Sequence, residues 1–508
     1  MASALPMLWC AIARHITIDV STTAIILTLV GYIVLLFTVA WRSSRNSDNA
    51  TFFTARRSTP RIVAAIAMVG AAMSGVTFIS VPGSVATDSF SYLQTTLGFF
   101  VGYIVIAYLL IPLYYRLGVV SLYEYLDQRF GIVAHKTGAW MFFISKILSA
   151  SLRAYVICIV LQGVLYDHYD IPFSVNAALM MTLVWLYTRR GGVKSVVWVE
   201  MLKTILMVGS VATCIIYVIA ALDLNIGEAL SAVAESDYSK VLFFDDVLDR
   251  RYFWKQFISG IFLVIAMTGL DQDMMQTILS CRTQRDAQRG MMQSIVIQVV
   301  VITLFLTLGA LLYIFIDSNG VAIERGDDLF GYVATQCGLP VAVGVLFILG
   351  LVASTYSSAG SALTALTTSF SLDILDGGKR YDSRSSSQAQ RLERMRRVSH
   401  TLIAVAMTLV IILFNRWSTA GAITLIFTMA SYTYGPLLGL FAFGIMTKRD
   451  IEARAIPIVA VIAPLLSYVV AHNAERWLCG YTFSYEILIL NAAISMLSLW
   501  LCSKRSNS

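Results

Sequence analysis

Several stretches of this chain put charged or hydroxyl side chains where they could hold a small ion or solute. Arg153 follows Lys146 by seven residues in an apolar run, so the two lie on roughly one helix face. A guanidinium fork matches a carboxylate, and ionisable residues inside apolar spans mark solute or ion paths. The competing reading of Arg153 is an ion pair with a carboxylate from another helix, such as Glu200 or Asp271. Glu200 and Lys203 stand three apart and can neutralise each other on one face. Alternatively, the carboxylate helps a cation site, or the ammonium stands where a cation would bind. Ser354, Ser357, Ser358 and Ser361 recur at three- and four-residue spacing and share a face. Uncharged hydroxyl oxygens suit sodium, a hard cation, by extension of the oxygen preference of calcium and magnesium. They suit helix back-bonding and helix–helix contacts equally well.

Two further stretches carry candidates. Gly70-Ala-Ala-Met73-Ser74-Gly75, followed by Pro82-Gly83, interrupts an apolar run with small residues. Such a run is either a close-packing face or a discontinuous helix whose freed carbonyls line a polar cavity. Gly269-Leu-Asp271-Gln272-Asp273-Met-Met-Gln276 puts carboxylates and amides in another apolar run. Here a structural or gating role is expected over direct ligation. Histidines 15, 135, 168, 400 and 472 fall near the ends of apolar runs without ligand spacing, and are expected to be solvated. No nucleophile elbow, phosphate loop or paired-carboxylate site is present, so an enzyme is not expected.

The elements that must position these residues are membrane helices. The chain of 508 residues is 58% hydrophobic and only 13% charged, a balance that could not cover a soluble core. About 20 apolar residues cross a bilayer as a helix. Runs of that kind predict spans near 18–41, 61–86, 92–117, 137–163, 171–188, 193–222, 252–280, 290–316, 340–372, 398–415, 421–446, 455–472 and 482–502. The net charge of +7 sits in short basic clusters between spans, which argues for cytoplasmic loops and against a nucleic-acid partner. Those clusters, in loops 42–61, 188–194, 281–289 and 379–397, all fall on one side. This predicts a multi-pass plasma-membrane protein with its N-terminus outside and its C-terminus cytoplasmic. The seven cysteines form no CxxC; Cys10, Cys337 and Cys479 fall in expected outside loops, where pairing is open.

Four motifs in order then carry a family resemblance from about 18 to 502. They are Met73-Ser-Gly, Gly191-Gly-Val-Lys-Ser-Val-Val-Trp198-Val-Glu200, Ser371-Leu-Asp373-Ile, and Tyr432-Thr-Tyr434-Gly435-Pro436-Leu-Leu-Gly439. The chain resembles the sodium:solute symporter family. The resemblance implies an all-α integral membrane fold of about thirteen spans with a LeuT-type core of two inverted five-helix repeats. It divides the chain into an extracytoplasmic segment 1–17, an extra span 18–41, a core 61–446 and two accessory spans 455–502.

The resemblance also implies alternating access and a sodium site built from the carbonyls of Gly70, Met73 and Ser354 and the hydroxyls of Ser357 and Ser358. It implies a substrate position at Thr77 beside Ser74. Two departures matter. The acidic residue of the fifth core helix, usually Asp, is Glu200, and a glutamine position is taken by Lys203. A second sodium site would use a hydroxyl at Gly360, which has none. The expected function is sodium-coupled symport of a small organic solute, with no organic cofactor. Arg153 and Lys203 favour an organic anion such as a carboxylate or acidic sugar. Glu200, Lys203, Asp271 and Gln272 are expected to couple or gate. The alternatives are a proton-coupled or sodium-independent transporter in which Lys203 replaces the cation, then a polytopic membrane enzyme or transport-like sensor.

Overall fold

A computed structural model describes residues 22–45, 47–321, 323, 325–377, 386–417, 422–478 and 480–504. Cys10, Cys479 and the 1–17 segment lie outside these residues. The chain is helical almost throughout, as it must be where no water satisfies the backbone. Its long helices are α1 (Thr22–Ser43), α2 (Arg61–Ala72), α3 (Gly75–Gly83), α4 (Tyr92–Leu117), α5 (Ile132–Leu161), α6 (Phe173–Gly191) and α7 (Val193–Ala221). There follow α8 (Phe253–Gly269), α9 (Gln272–Leu279), α10 (Gln284–Ser318), α11 (Val341–Ser369), α12 (Ser386–Trp417), α13 (Ala422–Met446), α14 (Ala455–Trp477) and α15 (Ile487–Leu501).

Among the described residues, nine helices are long and apolar enough to cross a membrane, or eleven if two bent pairs each make one span. The expected count of thirteen is therefore not reproduced. The remaining two expected spans are helices, α6 and α15, but fall outside that set, and α15 has only 15 residues. Burial separates inner from outer helices. In α10 and α11 two thirds of the apolar window is buried, against about a fifth in α1 and α14. The outer helices therefore face lipid.

Two spans are broken, and both breaks have local causes. Between α2 and α3, Met73 and Ser74 leave the helical region for extended conformations (φ −105°, ψ 122° and φ −107°, ψ 174°), and the halves bend by 62°. Gly70 lets α7 press against this point. A Cβ there would lie 2.4 Å from Thr204 Oγ1 and 2.8 Å from Glu200 Oε2. The second break, at Leu270–Asp271 between α8 and α9, bends by 70°. Asp271 caps the new helix, accepting from the amides of Asp273 (2.8 Å) and Met274 (3.2 Å). The sequence reading took 252–280 as one span and missed this break. Its signal was a glycine followed two residues later by a helix-capping aspartate.

The histidine expectation needs correction at two positions. His135 is buried, with Nε2 2.9 Å from Asp373 Oδ1. His400 is buried between the hydroxyls of Thr188 and Thr367. His135 sits in the first turn of α5 and His400 in the middle of α12, and each is covered by residues distant in sequence, which the linear pattern does not show.

Helices α4 and α8 cross at paired glycines. A Cβ on Gly98 would lie 2.1 Å from the Phe257 carbonyl, and one on Gly260 2.3 Å from that of Thr95. Gly98→Val should lower the melting temperature of the detergent-purified protein, because overpacking costs about 1–3 kcal/mol. Gly31→Val, on the lipid face of α1 with nothing within 4 Å, should leave it unchanged. Equal melting curves for both variants would contradict the crossing.

Candidate substrate and cation site

The two breaks face each other across a cavity of about 740 Å³. Its mouth carries Asp88, Arg250, Arg325 and Asp327, on the side that the loop charges assign to the outside. Arg250 bridges to Asp88 at 2.6 Å. Near the mouth, hydrogen bonds from Arg251 hold the Asp249 carboxyl below the usual carboxylate range. The floor is formed by Ser74 and Thr77 beside the first break, Lys146, Ser149 and Arg153 on α5, Asp271 at the second break, and Tyr434 on α13. The Ser74 amide donates to Thr77 Oγ1 at 3.2 Å, so the expected substrate pair is part of the turn that starts α3.

The floor charges are paired in one pattern. Lys146 Nζ reaches Asp271 at 3.1 Å and Asp273 at 2.7 Å. Tyr434 donates to the same Asp271 oxygen, Oδ2, and Ser361 donates to Asp273. Glu200 pairs with Lys203 at 3.1 Å. Arg153 lines the floor, and no described residue makes a hydrogen bond or ion pair with it. The two carboxylates considered as its partners are thus committed to lysines. Sequence reasoning named Lys146 only as a neighbour of Arg153; its true partners lie more than 120 residues away, beyond any local spacing.

Behind the floor, two of the five expected sodium ligands, Gly70 and Ser358, meet a lysine of α7. Lys203 Nζ donates to the Gly70 carbonyl at 2.6 Å, to Ser358 Oγ at 2.8 Å and to Glu200 Oε2 at 3.1 Å. Both side chains of the Glu200–Lys203 pair are fully buried. Ser357 Oγ and Glu200 Oε1 are buried without a hydrogen-bond partner. Ser354 Oγ back-bonds to the Leu351 carbonyl at 2.8 Å. Gly75 brings α3 close to this face: a Cβ there would lie 3.0 Å from Ser354 Oγ. A small chamber, of about 10 Å³, joins Ser74 and Arg153 to Glu200, Asp273, Ser358 and Ser361.

On the far side of the second break, Gln272 binds the backbone of 120–122. Its Nε2 donates to the Val120 carbonyl (3.1 Å), and its Oε1 accepts from the Leu122 amide (3.0 Å). Tyr123 Oη donates to the Leu270 carbonyl at 3.1 Å, and Ser121 Oγ to Asp373 at 2.6 Å. Gln272 is therefore not among the residues that line the cavity.

The sodium:solute symporter family model matches residues 52–457. The chain belongs to that family. Relatives include the sodium/sialic acid symporter SiaT of Proteus mirabilis, 22% identical over 86% of this chain and 88% of SiaT. Another is sodium-coupled monocarboxylate transporter 1 of Mus musculus, 25% identical over 80% of this chain and 66% of the relative. A solved structure of a Na+-coupled sialic acid symporter, substrate-bound and outward-open, superposes with a TM-score of 0.78. It is 19% identical and covers 95% of this chain and 99% of that one, so the fold is shared. The family is one of symporters and these relatives are named as transporters, so the chain is a membrane transporter and not an enzyme.

Asp271 is the joint between the floor and α9. Asp271→Asn/Asp273→Asn, which removes both carboxylate partners of Lys146, should destabilise the protein by about 3–5 kcal/mol, the cost of leaving a buried ion uncompensated. The loss should appear as a lower melting temperature in detergent, and Lys146→Met added to it should recover part. A neutral double variant would contradict the pairing.

Proposed function

We propose that this chain is a secondary active transporter that moves a small organic anion, a carboxylate or acidic sugar, by alternating access. The observation that carries the substrate class is Arg153: a guanidinium without an ion pair at the floor of a large polar cavity, between two broken helices. An arginine fork left open at such a place suits a carboxylate. The floor carboxylates are occupied by Lys146, so an ammonium-bearing solute would meet no free anionic partner. The relatives named for sialic acid and monocarboxylates support the same class. In this reading the core is 61–446, with two inverted repeats, flanked by 18–41 and 455–502. Ser74 and Thr77 line the substrate place, while Asp271 and Gln272 tie the floor to the backbone of 120–122.

Two readings of the coupling ion follow. Sodium coupling is supported by the family and by its sodium-dependent relatives, with the ion held by Gly70, Met73, Ser354, Ser357 and Ser358. Each charge moved inward gains about 2.3 kcal/mol per 100 mV, enough for one sodium to drive accumulation. The second reading, sodium-independent or proton-coupled transport, is favoured by one observation: the Lys203 ammonium already bonds to the Gly70 carbonyl and the Ser358 hydroxyl.

Uptake of radiolabelled sialic acid and lactate into proteoliposomes tests the substrate reading. Arg153→Gln should raise KM about ten- to hundredfold, the worth of a charge-assisted hydrogen bond. Arg153→Lys should recover part of that loss. Unchanged uptake by Arg153→Gln would refute the anion site.

A further inference from the structure

We propose that this chain fills both of its internal cation positions with its own side chains and transports its solute without binding sodium. The inference deepens the transporter reading above and rests on it for the word "transports"; the ion-binding claim stands on geometry alone.

The first position is the junction of α2, α7 and α11. An ammonium has three donors and no acceptor. Lys203 spends all three here, on the Gly70 carbonyl, Ser358 Oγ and Glu200 Oε2, at 2.6–3.1 Å. Those lengths are within the range of good hydrogen bonds. Gly70 and Ser358 are two of the five residues that would hold sodium, so ion and ammonium compete for the same oxygens. The lysine is fully buried, and α7 lies close enough to α2 that Gly70 has no room for a methyl group. The ammonium therefore joins the broken α2 to α11, as a sodium ion would. Unlike an ion, it is covalently attached to α7 and does not leave with the solute.

The second position is one turn further along α11, at Gly360. A Cβ on that glycine would lie 1.6 Å from the hydroxyl oxygen of Tyr187, which reaches in from α6 and donates to the Tyr356 carbonyl at 2.9 Å. The space that a coordinating hydroxyl at 360 would need is thus filled by a phenol. Two neighbouring oxygens are engaged: Ser361 Oγ donates to Asp273, and Glu200 Oε2 accepts from Lys203. Different residues on different helices block the two places.

Charge points the same way. Lys146, Arg153 and Lys203 face Glu200, Asp271 and Asp273, and the formal charges of these six cancel before any ion is added. No carboxylate of the group is left for sodium to neutralise. A sodium ion at the α2–α11 junction would stand against an ammonium in a fully buried place, where like charges repel strongly.

Binding of radiolabelled sodium to the purified full-length protein tests this without a solute. The wild type should show no saturable sodium binding and the same melting temperature in sodium chloride as in choline chloride. Lys203→Ala frees the Gly70 carbonyl and Ser358 hydroxyl. It should gain saturable binding and melt a few degrees higher in sodium than in choline, and Ser358→Ala added to it should remove the gain. Saturable binding by the wild type that disappears in a Ser357→Ala/Ser358→Ala variant would overturn the proposal, whether or not Lys203→Ala folds. In proteoliposomes, uptake of sialic acid or lactate should be equal in sodium and choline. Sodium-stimulated uptake would overturn the ion claim. A protein that neither binds sodium nor takes up any organic anion would support the ion claim and count against the transporter reading.

Discussion

A backbone that leaves its helix inside a membrane must find its hydrogen bonds in the protein. The first break of this fold meets that demand in part with a lysine. The Gly70 carbonyl, at the end of α2, accepts from Lys203, which also grips Ser358 on α11 and Glu200 on its own helix. Three helices are fixed relative to one another at one nitrogen atom. The second break uses the opposite device. There a carboxylate, Asp271, satisfies the freed amides of α9 and takes Lys146 and Tyr434 from two other helices. A cation closes one discontinuity and an anion the other, each matched to the polarity of the helix end it serves.

The cavity lies between these two fixed points. On its floor Lys146, Asp271, Asp273 and Tyr434 have each found partners among the described residues, and Arg153 has not. Burying polar groups is tolerable only when they are satisfied. The exception at Arg153 falls at the cavity, where its guanidinium is not walled in by packed side chains.

Much of this was legible in the sequence. Apolar runs and basic loops gave the membrane class, and Gly70 to Gly83 gave the first break. The four-motif resemblance named the family that the chain belongs to. Of the five residues expected to hold sodium, Gly70 and Ser358 meet at the Lys203 ammonium, a residue expected to couple or gate. Three things were not legible. The Asp271 break hides in a span of ordinary length. The pairing of Lys146 with Asp271 and Asp273 spans 125 residues or more, and local spacing cannot choose among three lysine or arginine partners. Gly360 read as a missing ligand, whereas the structure adds that Tyr187 occupies its place, a contact between helices with no trace in the linear pattern. The solvated histidines failed for the same reason: the residues that cover His135 and His400 are distant in sequence.

Asp271 and Gln272 are consecutive residues, yet one faces the solute floor and the other clasps the backbone of 120–122. One peptide plane therefore links two sets of contacts on different helices. A backbone rotation there cannot alter the Lys146 and Tyr434 contacts of Asp271 and leave the Val120 and Leu122 contacts of Gln272 in register, because no residue lies between them to absorb it.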